Sequence, residues 1–192
     1  SDRWVFMQAC LQIERWEKLG MKDQKISVNI SGLHFKRGHI INTITEISNI
    51  LKIPSGQIEI EITEGVFLEK IEDVILALEK LRSMGISISI DDFGTGYSSL
   101  GYLKKLPIDR IKIDKSFVDN IVTNYKDKGI VQTIITMTKL LNLKVIAEGV
   151  ETIEQLETLN QIGCYEIQGF YFAKPMPVEE YNKFFKDFKP KK

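Results

Sequence analysis

Apolar and polar positions alternate along the chain with two different periods. Apolar residues recur every three to four positions over roughly 4–19, 36–51, 69–84, 126–141, 152–161 and 178–187, which predicts six amphipathic helices. Between them lie short β-branched runs at 26–30, 58–63, 86–91, 110–114, 144–148 and about 166–172, which predict six strands. Strand and helix in turn imply βα units and a parallel sheet.

Several strands carry a strict period of two. Ile58-Glu59-Ile60-Glu61-Ile62, Ile86-Ser87-Ile88-Ser89-Ile90-Asp91 and Arg110-Ile111-Lys112-Ile113-Asp114 each put isoleucine on one face and polar side chains on the other. In an antiparallel sheet that polar face would meet solvent. A parallel sheet is covered on both faces, so here the polar face meets no bulk water. Isoleucines against outer helices, with polar side chains inward, describe an α/β barrel of the (β/α)8 type. An open doubly wound sheet would need apolar residues on both faces.

Composition narrows the reading. The 192 residues are 43% apolar and 27% charged, which fits a globular fold and a single domain over 1–192. A chain of this size buries roughly 70% of its unfolded surface. Lys plus Arg and Asp plus Glu each number 26, so the formal net charge is zero. Without a basic stripe beyond the short tail Lys189 to Lys192, duplex nucleic acid is not an expected partner. Cys10 and Cys164 form no C-x-x-C pair, so packed thiols in a reducing, cytoplasmic compartment are expected. The apolar runs are far shorter than the ~20 residues of a membrane span. The opening Ser1-Asp2-Arg3 runs at once into a helical pattern, which reads as a cut within a longer protein, one that could be membrane-anchored elsewhere.

The inward set gathers at the carboxyl ends of the strands as Asn29, Glu61, Asp91, Asp92, Lys112, Glu148 and, later, Gln168. In (β/α)8 barrels catalytic groups sit at those ends, contributed by several strands. Carboxylates so close together need cations to neutralise them. Oxygen ligands with no His or Cys beside them favour Mg2+ or Mn2+. Paired ions suit in-line displacement at phosphorus. The residues alone thus point to metal-dependent phosphoryl chemistry, with no substrate named.

Motifs sharpen this. Val28-Asn29-Ile30-Ser31, Glu61-Ile62-Thr63-Glu64, Asp91-Asp92-Phe93-Gly94-Thr95-Gly96-Tyr97-Ser98-Ser99-Leu100, Lys112-Ile113-Asp114, Glu148-Gly149-Val150-Glu151-Thr152 and Gln168-Gly169 follow one another in the order and spacing of EAL domains, and the chain resembles that family over about 4–177. The resemblance implies a TIM-barrel-like domain that hydrolyses cyclic di-GMP to linear pGpG with two Mg2+ or Mn2+ ions. It implies Asn29, Glu61 and Asp91 as direct metal ligands, Asp91 bridging the ions, and Asp92 and Glu148 serving the second. Lys112 would lie beside the attacking water, orienting it or helping its deprotonation, with a pKa lowered by the neighbouring ions. Gln168 would hydrogen-bond in the water or substrate network, and Pro175 would shape the guanine pocket. Glu64 would tie down the loop over 93–99, which in this family couples the metal site to a dimer interface. A homodimer and an upstream sensor or GGDEF-type domain are the implied partners.

The resemblance also implies two further strands upstream, one ending in a Glu-Ala-Leu whose glutamate is a metal ligand. These residues contain no such string; Ala77-Leu78-Glu79 is the nearest lookalike. The expected architecture is therefore an incomplete barrel lacking about its first two strands, with two open edges. That departure motivates an alternative, a catalytically inactive c-di-GMP receptor or protein-interaction module. A Mg2+-dependent barrel enzyme forming an enediolate is a third reading, though it leaves the Asp91-to-Leu100 string without an account.

Other features have simpler readings. Thr152 with Gln155 reads as a helix capping box, which makes Glu151 structural. Gly94 and Gly96 read as turn residues, His34 and His39 as surface or core-edge positions, and Phe170, Tyr171 and Phe172 as barrel packing.

Overall fold

The computed structural model describes residues 2–30, 39–52, 54, 56–68, 70–96 and 100–188. His34, Tyr97 to Ser99 and the basic tail from Lys189 lie outside the described residues. In chain order the elements are α1 (Asp2–Lys18), β1 (Ile26–Asn29), α2 (His39–Ser48), β2 (Ile58–Thr63), a 3-10 turn (Glu64–Leu68), α3 (Ile71–Ser83), β3 (Ser87–Phe93), α4 (Leu100–Leu103), β4 (Arg110–Ile113), α5 (Lys115–Asp119), α6 (Tyr125–Leu140), β5 (Lys144–Ala147), α7 (Ile153–Gln161), β6 (Glu166–Ile167) and α8 (Val178–Asp187).

The strands form one parallel sheet in the order β1-β2-β3-β4-β5-β6. The order follows from the chain: each helical crossover returns the next strand beside the last. Ile58, Ile60, Ile62, Ile88, Ile90, Ile111 and Ile113 are fully buried. They form one core with Ile40, Ile44 and Ile47 of α2, Val74, Leu78 and Leu81 of α3, and Val131, Ile134 and Ile135 of α6. Each such side chain contributes roughly 1.5–3 kcal/mol on burial. The polar positions occupy the other face, and side chains of strands two apart in the sheet meet there, so the sheet curls into a half-barrel with a polar, concave interior.

Helix starts follow local chemistry. Asp114 accepts a hydrogen bond from the Ser116 amide at 2.9 Å to open α5, and Asn124 accepts from Lys126 at 2.9 Å to open α6. The Thr152/Gln155 capping box forms as the sequence predicts: Thr152 Oγ1 accepts from the Gln155 amide at 3.2 Å and Gln155 Oε1 from the Thr152 amide at 3.1 Å. Gln155 also reaches back to the Glu151 amide at 2.8 Å, so this box fixes the chain just after Glu148. Trp16 of α1 donates to Asn182 of α8 at 2.7 Å, joining helices on the two open sides of the sheet. Among the described residues no helix is long and apolar enough to cross a membrane.

Two expectations are corrected. The last strand ends at Ile167 and does not run to 172: Gln168 keeps one ladder bond to Ala147 at 2.8 Å, then the Phe172 amide turns back onto the Gly169 carbonyl at 3.1 Å. The aromatic run consequently leaves the sheet. Phe170 is 54% and Phe172 40% exposed, so only Tyr171 packs against the core. The short helices α4 and α5 and the 3-10 turn are too brief to carry a period and have no counterpart in the predicted elements.

Candidate active site

The site is built at the carboxyl ends of β2 to β5. Lys112, on β4, is the hub. Its ammonium lies 2.8 Å from Glu61 Oε1, 3.2 Å from Asp91 Oδ1 and 2.6 Å from Glu148 Oε1, and its side chain is only 6% exposed. Four strands thus converge on one point, which a flat sheet could not achieve. Burial works against the charge on Lys112, yet hydrogen bonds to Glu148 and Glu61 outweigh it and raise its pKa. The expected lowering depends on neighbouring cations; carboxylates act in the opposite sense. Burial pushes the Glu148 carboxyl upward, and the nearby Lys112 offsets this only in part.

Asp91 and Asp92 are consecutive, and regular alternation would send them to opposite faces. The β3–β4 register instead shifts between Ile90 and Phe93, and Asp92 adopts φ +52°. This bulge re-aims the second carboxylate. One oxygen each from Asp91, Asp92 and Glu148 then lies within 4.8 Å of the others. Burial, followed by the charges of Asp91 and Asp114, raises the Asp92 pKa. Asp92 and Glu148 thus both resist ionisation, and the set offers only oxygen ligands, which fits a hard divalent cation.

The remaining predicted residues lie around this centre. Asn29 ends β1 directly beside Glu61 in register and is exposed. Glu64 is buried and accepts a hydrogen bond from the Gly94 amide at 2.7 Å. Gly94 has φ +102°, and a Cβ at Gly96 would meet the Glu64 carboxylate at 3.1 Å, so both glycines serve the turn after β3. Gln168 and Pro175 are not among the Lys112 partners. They line a cavity of about 570 Å3 between β1 and the β6–α8 connection, with Ser27, Lys174 and Phe170.

The predicted set omits two features. Asp114 lies close enough to Asp92 for its charge to raise the Asp92 pKa, while capping α5. Glu59 and Arg110 pair deeper in the interior, and Arg110 also reaches the exposed Glu166. Alternation already placed Glu59 and Arg110 in phase with Glu61 and Lys112, and that was their only signal.

Comparison with known proteins gives the same direction. The EAL domain family model matches residues 1–175. The chain is 41% identical to the oxygen sensor protein DosP of Escherichia coli over 178 residues, covering 93% of the chain and 22% of DosP. It is 37% identical to the cyclic di-GMP phosphodiesterase NbdA of Pseudomonas aeruginosa over 188 residues, covering 98% of the chain and 24% of NbdA. The structure of the Pseudomonas aeruginosa MucR phosphodiesterase in complex with c-di-GMP superposes with a TM-score of 0.86 at 39% identity, covering 93% of this chain and 72% of that one. The chain spans about a quarter of the length of these curated relatives.

Proposed function

The chain belongs to the EAL domain family, and from that premise we propose that it is a metal-dependent phosphodiesterase hydrolysing cyclic di-GMP to linear pGpG in bacterial second-messenger signalling. The observation that carries this reading is the convergence of Asp91, Asp92 and Glu148 oxygens within 4.8 Å, beside Lys112 and Glu61. Relatives named as cyclic di-GMP phosphodiesterases support the substrate.

Asn29, Glu61, Asp91, Asp92 and Glu148 would hold two divalent cations, Mg2+ or Mn2+. When bound, these supply positive charge for the attacking and leaving oxygens at phosphorus. In the reaction a water oxygen bonds to phosphorus, the P–O3′ bond breaks, and the leaving 3′ oxygen takes up a proton. Lys112 holds a proton at Nζ on a buried side chain and donates hydrogen bonds, so it orients the attacking water. Gln168 and Pro175 line the neighbouring cavity and would receive a guanosine end of the substrate. Glu64 fixes the turn that follows Asp92 through the Gly94 amide.

We further propose that the chain acts as a homodimer within a longer protein carrying a sensor or GGDEF-type domain. DosP is named as an oxygen sensor, and MucR as a bifunctional cyclase and phosphodiesterase.

The test is chromatographic. With Mn2+ or Mg2+, the protein should convert c-di-GMP to pGpG, and Glu61→Ala or Asp91→Ala should abolish conversion. Full turnover in either variant sinks the assignment. Tight binding of c-di-GMP without hydrolysis selects the receptor reading.

A further inference from the structure

Below the acid cluster the same concave face carries a second charged layer. Arg110 Nη1 donates to Glu59 Oε1 at 3.2 Å and to Oε2 at 3.1 Å, and Arg110 Nη2 donates to Glu166 Oε2 at 2.8 Å. Ser27 Oγ donates to Glu59 at 3.4 Å. The Glu59 side chain is 5% exposed and that of Arg110 15%. Each member precedes a residue of the upper site by two positions: Glu59 before Glu61, Arg110 before Lys112, Glu166 before Gln168. Alternation therefore stacks the lower layer directly under the upper one.

β2 and β4 are not neighbours, because β3 lies between them. Their side chains join over Ser89, which is fully buried and stands opposite Glu61 on one side and Arg110 on the other. A small residue there leaves room for the long side chains to cross. One guanidinium then ties together three alternate strands, a geometry that its planar fork holds and a lysine cannot.

Stability alone is a poor reason for this layer. Barrel interiors are commonly filled by branched apolar side chains, and replacing a buried ion pair by apolar residues of similar volume is often neutral or stabilising. Among the described residues, Ser89 Oγ and Arg110 Nε are buried with no hydrogen-bond partner, a further cost of keeping the layer polar. What an ion-pair layer adds over an apolar one is direction and distance. We propose that Glu59, Arg110 and Glu166 are positioning residues: they set the spacing of β2, β4 and β6, and through it the placement of Glu61, Lys112 and Gln168 above. The inference rests on reading the upper cluster as a cation-holding phosphodiesterase site.

The test uses Arg110→Lys and the double variant Glu59→Leu/Arg110→Met. For each, melting of the metal-free protein, Mn2+ affinity by titration calorimetry, and kcat and KM for c-di-GMP are measured. The double variant should melt at or above the parent temperature. Its Mn2+ affinity should nevertheless fall about 10-fold, as loss of groups that orient metal ligands does, and kcat should fall while KM holds. Arg110→Lys should lie between parent and double variant. Parent-like Mn2+ affinity and kcat in the double variant would overturn the proposal, since the layer would then be filler. If the double variant does not fold, Arg110→Lys decides alone: unchanged Mn2+ affinity overturns the proposal and a clear loss supports it. If the parent binds Mn2+ but leaves c-di-GMP intact while the variants lose Mn2+ affinity, the phosphodiesterase reading fails and the positioning role stands.

Discussion

At the carboxyl ends of the strands three carboxylates surround one ammonium, whereas two residues deeper on β2, β4 and β6 two carboxylates share one guanidinium. The strands and the alternation are common to both layers, but the balance of charge is not. In the lower layer Glu166 is 45% exposed and partly solvated, so the buried part reduces to one cation against Glu59. In the upper layer burial is combined with an excess of negative charge, and Asp92 and Asp114 add to it at the rim. The lower arrangement is balanced in charge at its buried pair, though Ser89 Oγ and Arg110 Nε stay without partners there. The upper one strains against itself, and such strain is what an active site trades against stability.

The sharpest way to break this contrast is to remove the hub. Lys112→Met leaves Glu61, Asp91 and Glu148 buried around an apolar tip. Losing one partner of a buried ion-paired set costs about 3–5 kcal/mol, and turnover falls with the loss of the hydrogen bond that orients the water. Metal-free Lys112→Met should therefore unfold at markedly lower denaturant, and added Mn2+ should recover part of the loss by binding the folded state alone. An unfolding curve identical to the parent's would mean that Lys112 does not hold the upper carboxylates together.

β6 contributes to both layers, so a lesion at its end separates them. A Cβ on Gly169 would sit 2.0 Å from the Val150 carbonyl oxygen and 2.4 Å from its nitrogen, both backbone atoms that cannot swing aside. Gly169→Ala should push the Gln168 end of β6 away from the chain after Glu148, at a cost of about 1–3 kcal/mol for overpacking. Glu166 lies further back and should keep its pair with Arg110. Turnover of Gly169→Ala should fall with a raised KM for c-di-GMP; an unchanged KM would remove Gln168 from the substrate network.

What the sequence made legible follows the same division. Alternation in Ile58–Thr63 and at 110–114 was enough to place Glu61 and Lys112 on a shared inner face, because period two is a local property of the chain. Alternation over 86–91 likewise put Asp91 on the inner face, but Asp92 breaks that period, and it is a bulge and a positive φ, which no local pattern encodes, that bring its carboxylate to the site. The pairing of Arg110 with Glu59 and Glu166 joins residues 51 and 56 positions apart and depends on how far the sheet curls, which no local pattern encodes. The shortened β6 was illegible for a related reason: Gly169 turns the chain where close approach to Val150 demands it, and the aromatic residues beyond it look like strand.

Asp92 tests the sign of the strain. Its folded pKa lies above the ordinary 3.8, so the fold disfavours its ionised form. Its contribution to stability is then best when protonated, and declines as pH rises from 3.8 through the raised value. Asp92→Asn should raise the melting temperature of metal-free protein at pH 7, show no gain below pH 3.8, and weaken Mn2+ binding. A destabilised variant at pH 7 would mean that Asp92 is held by partners that favour its charge, and the upper layer would not be strained at this point.

The smallest effect is expected just outside the site, and it matters because its geometry looks strong. Lys115 Nζ lies 2.5 Å from Glu151 Oε1, closer than any contact of Lys112, and its side chain covers Gly149 beside Glu148. The two side chains are 48% and 44% exposed, however, so water and salt screen the pair and holding it costs side-chain freedom. The chain there is already fixed by Gln155, which accepts from the Glu151 amide, so the ion pair has little left to position. Lys115→Ala should melt with the parent at low and high salt and change turnover by less than about twofold. A loss approaching that of Lys112→Met would show that burial is not what separates the two lysines, and that the loop after Glu148 is held by charge from its outer side.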